Sequence, residues 1–248
     1  IARWDGSSWH ALTQTNGASN PDDDVNALAV DSDGTLIVGG EFTSVYGIPH
    51  LARWNPTTRT WSAIGNQALN DDVNALAITD AGLYVGGSFT DLGGPAGDGI
   101  ALWNGTQWTP LGSGLTGFPN FQNIVQPPNV QALHPVGTDL FVGGTFSNAG
   151  GVDGTPGVAR WDGTSWQSVG SGLVDGTVHT LTSTETMLWA GGSFTMTGDG
   201  TKVSLGIGAH PLPGVVAAEP EPDASSSLRA WPNPSHGNAR IQLDVETR

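Results

Sequence analysis

Residues 73–112 read VNALAITDAGLYVGGSFTDLGGPAGDGIALWNGTQWTPLG, and this stretch holds every element that the rest of the chain repeats. Val73 and Ala75 alternate with Leu76 and Ile78, and a turn follows at Asp80-Ala81-Gly82. A second run, Leu83-Tyr84-Val85, ends in Gly86-Gly87. After a polar loop come Ile100-Ala101-Leu102-Trp103, an Asn104-Gly105 turn, and a closing run from Trp108 to Leu111. Short period-2 runs bounded by Asx-Gly turns predict an antiparallel meander of four strands.

The pattern recurs along the chain. Double glycines stand at Gly39-Gly40, Gly86-Gly87, Gly143-Gly144 and Gly191-Gly192, spaced by 47, 57 and 48 residues. Each is followed two residues later by Phe42, Phe89, Phe146 or Phe194. The third run carries Ala-Arg-Trp at 2–4, 52–54 and 159–161, and Ala-Leu-Trp at 101–103. A second tryptophan follows five or seven residues on, at Trp9, Trp61, Trp108 and Trp166. Four strands per unit at this period predict an all-β chain of β-propeller type, with four-stranded antiparallel blades that must stack to bury both faces.

The same repeats divide the chain. Units are expected at about 1–12, 25–65, 73–112, 129–170 and 178–208, making a repeat domain over 1–210. In the last unit the third strand is expected near 203–208, where the Arg-Trp signature is absent. Two arrangements fit: the hairpin over 1–12 closes a four-bladed ring, or the units belong to a larger propeller. Residues 211–227, rich in Pro, Ala, Glu and Ser, predict a linker. Residues 228–248 carry a turn and then alternating Ala239, Ile241, Leu243 and Val245, the pattern of one amphipathic strand.

Charge and composition narrow the function. The 248 residues include 37 glycines, no cysteine and a formal net charge of −15. Without cysteine there is no disulfide, thiolate metal site or thiol nucleophile. Such an acidic surface repels nucleic acid and anionic membranes, so no nucleic-acid partner is expected. No stretch approaches the ~20 apolar residues of a membrane span.

The repeat resembles the kelch family and its bacterial relatives, in the strand ending in Gly-Gly and the paired aromatics of the outer strands. Trp54 and Trp61 match the seven-residue spacing of that family, whereas the other units use five. The resemblance covers about 1–208 and implies the propeller fold, with no particular function. The tail resembles the opening of the C-terminal sorting domain of type IX secretion, through Trp231, Pro232, Asn233, Pro234, Ser235 and Gly237. That resemblance covers only 21 residues. It implies export across the outer membrane of a Bacteroidetes-like bacterium, with the secretion machinery as a partner and a secreted or outer-surface location.

Candidate binding residues come from loop lengths. In such a meander the first-to-second and third-to-fourth strand turns share one end, and they are tight. The long connections share the other end: 13–24, 43–50, 90–99, 113–128, 147–157, 171–177 and 195–202. Ligands concentrate on variable loops of this kind. That end carries Asp22, Asp23 and Asp24, the pair Asp71 and Asp72, and Asp91, Asp98, Asp153, Asp175 and Asp199. Carboxylates beside glycine carbonyls suit Ca²⁺, although no calcium-loop spacing is present, and solvated acidic loops explain them as well. The insertion FPNFQNIVQPP at 118–128, with Phe118, Phe121 and Asn123, is the most distinctive loop. Asn26, Asn74, Gln131 and His179 hold equivalent places near the start of the first strand. They form either a polar ring at a channel mouth or caps on backbone groups. The repeated tryptophans read as packing between units rather than sugar platforms.

Nothing in the sequence assembles a catalytic set. Six scattered histidines show no His-x-x-x-His spacing, and neither a Gly-x-Ser-x-Gly elbow nor a P-loop is present. The expectation is a secreted, non-catalytic module that binds an extracellular protein or glycan through an acidic, loop-rich face. The alternatives are a glycan-active hydrolase or lyase at the channel mouth, and a structural spacer.

Overall fold

The computed structural model describes residues 1–12, 20–90, 92–94, 97–119 and 121–212. The linker expected beyond Leu212, the strand expected within 228–248 and the whole sorting motif lie outside these residues. The chain is all-β, with antiparallel sheets of two to four strands and no helix among the described residues. A hairpin comes first, β1 (Ala2–Trp4) with β2 (Trp9–Ala11). The first four-stranded sheet is β3 (Val25–Val30), β4 (Leu36–Gly40), β5 (Leu51–Asn55) and β6 (Thr60–Ala63). The second is β7 (Val73–Thr79), β8 (Gly82–Gly87), β9 (Ile100–Trp103) and β10 (Trp108–Pro110).

Beyond β10, short ribbons separate from the main sheets. The strand β11 (Leu115–Thr116) precedes β12 (Asn129–Val136) and β13 (Asp139–Thr145). Next come β14 (Asn148–Ala149), β15 (Val158–Trp161) and β16 (Trp166–Ser168). Strands β12, β13, β15 and β16 make the third four-stranded sheet, while β11 pairs with β14. The last group is β17 (Leu173–Val174), β18 (Val178–Ser183), β19 (Met187–Gly192), β20 (Met196–Thr197) and β21 (Ile207–Pro211). Here β18, β19 and β21 form a three-stranded sheet, and β17 pairs with β20.

The third strand of this last sheet is Ile207–Pro211, displaced from the expected 203–208. Register explains the displacement. Leu36 pairs with Trp54, Leu83 with Trp103 and Leu140 with Trp161, and Leu188 pairs with His210. Histidine therefore takes the place of the signature tryptophan, and Ile207-Gly208-Ala209-His210 aligns with Leu51-Ala52-Arg53-Trp54. Only the isolated bridge Met196↔Val203 forms in the earlier part of the expected window. The place beside β19 is thus filled by β21, and the 1–12 hairpin packs Ile1 and Leu12 against Val38, Ala52 and Trp54 of the first sheet.

Each sheet packs on the next through the two glycines that end its second strand. The first glycine faces the following sheet: a Cβ on Gly86 or Gly143 would come within 2.5 or 2.6 Å of Cγ1 of Val130 or Val178, and one on Gly39 would strike Val73. The second glycine faces its own sheet: a Cβ on Gly40, Gly87, Gly144 or Gly192 would strike the carbonyl oxygen of Asp24, Asp72, Asn129 or Thr177. Even the single methyl group of alanine would therefore overlap a neighbour at these places. The first strands β3, β7, β12 and β18 stand as successive neighbours as a result. Phe42, Phe89, Phe146 and Phe194 are fully buried below the glycines.

The outer strands are held by aromatic pairs. Ring centroids lie 5.2 Å apart in Trp54–Trp61 and 5.3 Å apart in both Trp103–Trp108 and Trp161–Trp166. Tilted pairs of this kind add about 0.5–1.5 kcal/mol beyond the burial of their area. The indole N–H of Trp166 donates to the Leu111 carbonyl of the preceding sheet at 2.8 Å. Arg160 donates to Asp139 at 2.7 Å and Arg53 to Ser62 Oγ at 3.0 Å, so these arginines pair within their own sheets. The residue after each third-strand tryptophan caps the next turn. Asp5, Asn55, Asn104 and Asp162 accept N–H bonds from the residues two and three places on. These bonds to the charged form hold the Asp5 and Asp162 carboxyls well below the usual carboxylate range.

A test of this packing compares two variants by thermal unfolding. Gly87→Val, which drives a side chain into the Asp72 carbonyl, is expected to cost at least ~3 kcal/mol. Asp23→Ala, at an exposed position, is expected to stay within about 0.5 kcal/mol of the parent. Equal melting temperatures for the two would refute the role given to the double glycine.

Candidate functional site

The pairing of first and second strands skips one residue in every main sheet. Register shifts fall between Val25 and Ala27, Val73 and Ala75, Val130 and Ala132, and Val178 and Thr180. The bulged residues are Asn26, Asn74, Gln131 and His179, the four polar positions picked out by the repeat. A bulge leaves its extra residue out of the ladder and re-aims its side chain. The second glycine of each pair lets the backbone before the bulge approach closely, so packing and bulge arise from the same two residues.

Three of the four bulged side chains join one hydrogen-bonded row, with Asn129 as the link between Asn74 and Gln131. Asn26 Nδ2 donates to Asn74 Oδ1 at 3.0 Å, and Asn74 Nδ2 donates to Asn129 Oδ1 at 3.0 Å. Gln131 Nε2 donates to the same Asn129 oxygen at 2.7 Å. This amide chain crosses three sheets at the end where the first strands begin. With Glu41 and Asp72 it lines an open recess of about 440 Å³. His179 is exposed and stands outside that lining. On its side the row continues through a hydroxyl pair, Thr145 Oγ1 and Thr177 Oγ1 at 2.7 Å.

The acidic loop residues separate into two groups. Asp22 accepts from the Ser44 N–H at 2.9 Å and from Thr43 Oγ1 at 2.9 Å, and these bonds lower its pKa. One sheet later Asn70 accepts the Thr90 N–H at 2.9 Å and donates its own amide to Thr90 Oγ1 at 2.8 Å. Asp23 and Asp71 accept the N–H of the next residue, and Asp24 is exposed. Asp72 alone of the five lines the recess. Burial pushes its carboxyl pKa up, the charges of Asp71 and Glu41 add to the effect, and His50, with Nδ1 at 3.7 Å, opposes it. The recess therefore concentrates negative potential at Asp72 and Glu41.

The 118–128 insertion is separate from this recess. It closes on itself through a bridge between Pro119 and Val125 and a Gln126 N–H bond to the Phe118 carbonyl at 2.9 Å. Phe121 is 94% exposed, and Asn123 has a left-handed backbone with φ of 59°. Asp91 lies outside the described residues. Among the described residues no three carboxylate or imidazole side chains converge to hold a metal ion, and no helix is long and apolar enough to cross a membrane.

Sequence reading passed over two lining residues. Glu41 directly follows Gly39-Gly40, which places it at the end of β4 beside the start of β3. Asn129 precedes Val130 as Asp72 precedes Val73, so the alignment of units was the signal for it.

The arrangement defines a multi-sheet all-β chain with a polar, anionic recess built on strand bulges. No family model matches the chain. Among curated proteins it is similar to Polarized growth protein L1 of Phoma sp., 30% identical over 134 residues. That match covers 53% of this chain and 10% of the Phoma protein, so the chain corresponds to a small part of that relative.

The raised pKa of Asp72 sets a pH dependence. A carboxyl whose folded pKa lies above its unfolded value costs no stability in acid, and its cost appears as pH rises through the folded pKa. Asp72→Asn is therefore expected to raise the melting temperature at pH 7 and to leave it unchanged near pH 3. A gain that is equal at both pH values, or greater in acid, would contradict the electrostatic account.

Proposed function

We propose that this chain is a secreted or cell-surface, non-catalytic β-propeller module that binds an extracellular glycan in the recess of Asn26, Asn74, Asn129, Gln131, Glu41 and Asp72. In this reading the sheets are blades about a common axis, and the first strands line the axis. The observation that carries the reading is the amide chain across three sheets. Carboxamides fixed by one another offer donors and acceptors in a set geometry, which matches the paired hydroxyls of a sugar, and the flanking carboxylates accept further hydroxyl bonds. The kelch-like repeats support the propeller reading, and the sorting-type tail at 231–237 supports export by a type IX-like system. The name of the Phoma relative ties that protein to polarized growth and supplies no ligand.

A glycan microarray probed with the full chain, followed by calorimetric titration of the best oligosaccharide, tests the reading. Asn74→Ala is expected to weaken binding at least tenfold with little change in melting temperature, since Asn74 joins both neighbours in the row. Absence of any glycan ligand, or binding indifferent to Asn74→Ala, would remove it.

One observation favours a second reading, a glycan hydrolase. Asp72, whose carboxyl pKa burial pushes up, shares the recess with a second carboxyl, Glu41, and a pair of carboxyls is the usual acid and base of glycoside cleavage. Incubating the bound oligosaccharide with the chain separates the two readings. New reducing ends that disappear in Glu41→Gln would establish turnover, and an intact oligosaccharide would exclude it for that ligand.

A further inference from the structure

The residue two places before each first glycine faces the following sheet, and its size differs between units. It is Ile37 in the first sheet, Tyr84 in the second and Phe141 in the third, and all three are buried. Tyr84 belongs to the same hydrophobic cluster as Trp161 of the following sheet, and Trp161 is 7% exposed. Ile37 belongs to the same cluster as Trp103 of its following sheet, yet Trp103 stays half-buried. Isoleucine lacks the reach of a tyrosine or phenylalanine ring, and a cleft of about 330 Å³ remains between the first and second sheets. Ile37, Ile64, Ile78 and Leu83 make its floor, and Trp103 makes one wall. That volume sits at the small end of the about 300–1,000 Å³ of ligand pockets, room for one compact ligand.

The rim of the cleft is polar and carries both signs of charge. Arg53 pairs in register with Ile37 and therefore projects from the same face of the first sheet. Its counterpart Arg160 is neutralised by Asp139, which directly precedes Leu140. In the first sheet Thr35 holds that place, directly before Leu36. Arg53 Nε donates to Ser62 Oγ, and among the described residues its guanidinium joins no ion pair. Asp31, Asp33 and Asp80, all exposed, line the same rim. Asp31 Oδ1 accepts the Ser32 N–H at 2.7 Å and Asp33 Oδ1 the Thr35 N–H at 2.8 Å, which leaves further acceptor capacity on both carboxylates.

We infer that this cleft binds a single sugar residue, as a saccharide site separate from the recess of the amide row. A pyranose is neutral, with an apolar face of C–H groups and a rim of hydroxyls that both donate and accept. Its C–H face suits the isoleucine floor and the electron-rich indole of Trp103. Arg53 supplies donors to the hydroxyls and the three carboxylates supply acceptors. A cationic ligand would answer the carboxylates but meet the unpaired Arg53, and an anionic one would meet three carboxylates. Trp103 keeps its packing against Trp108 and Gly65 and offers only the remainder of its indole. The cleft and the recess lie at opposite ends of the same strands. Asn26 and Asn74 stand at the starts of β3 and β7, whereas Asp31 and Ile78 stand at or just past their ends. Occupancy of the cleft is therefore independent of the recess.

Titrating the full isotope-labelled chain with the methyl glycosides of glucose, galactose, mannose and N-acetylglucosamine provides the test. The readout is the indole N–H resonance of Trp103, assigned by its loss in Trp103→Phe. At least one glycoside is expected to shift that resonance saturably. Ile37→Phe, which gives the first sheet the ring that Phe141 gives the third, is expected to abolish the shift and to keep or raise the melting temperature. Arg53→Ala, at an exposed position, is expected to weaken binding at least about tenfold without loss of stability. Asn74→Ala, in the recess, is expected to leave the Trp103 response unchanged, so failure of one site is read separately from failure of the other. Where Ile37→Phe unfolds the chain, Arg53→Ala decides alone. A Trp103 resonance that no glycoside moves at its solubility limit overturns the inference. So does a shift that survives in folded Ile37→Phe or undiminished in Arg53→Ala, or one produced by choline or phenylalanine and by no glycoside.

Discussion

The structure depends on how closely the backbone of one sheet approaches the next. At Gly39, Gly86 and Gly143 a valine from the following sheet occupies the space where a Cβ would stand. Close-packed interiors tolerate no such overlap, so the absence of a side chain at these places sets the separation of the sheets. The second glycine of each pair sets a distance inside the sheet, between the second strand and the carbonyl that precedes the first. Two residues without side chains thereby fix the spacing in two directions at once. The buried phenylalanine two residues later fills the space that this approach leaves beneath the strand ends.

The recess follows from the same constraint. A first strand that must pass close to a glycine backbone and still keep its apolar residues on both neighbours carries one residue too many for a regular ladder. That residue bulges, and in three of the sheets it is an amide. The amides meet because the bulges recur at the same height in neighbouring sheets. Binding geometry is therefore a by-product of packing geometry, and the polar row needs no additional framework to hold it. Asp72 and Glu41 flank the row because each adjoins one of the strand ends that the bulge brings together.

Much of this was legible in the residues themselves. The double glycines, the tryptophan pairs and the Asx-Gly turns located three whole sheets, and the polar positions 26, 74 and 131 were visible by alignment of the units. Three things were hidden, each for a physical reason. The last third strand carries no tryptophan to mark its register, so the spacing of the units points to 203–208, whereas the ladder places His210 where the tryptophan stands elsewhere. The ribbons of β11 with β14 and β17 with β20 are two residues long, too short for any period to register. Glu41 and Asn129 carry no repeated side-chain signature, since their positions matter and their chemistry varies from unit to unit. The acidic runs taken together as one face separate in the structure into loop clamps, such as Asp22, and a recess carboxylate, Asp72.

The sameness of the joints has a consequence for how such a chain can change over generations. When every contact between units is the same valine over the same glycine, a unit duplicated or lost by recombination leaves matching surfaces on either side of the cut. The identical pentapeptide at 25–29 and 73–77 shows that two units can carry one and the same first strand within this frame. Unit number is then free to drift without any new contact having to be invented. The amides at the bulges can diverge one at a time while the frame that holds them stays fixed.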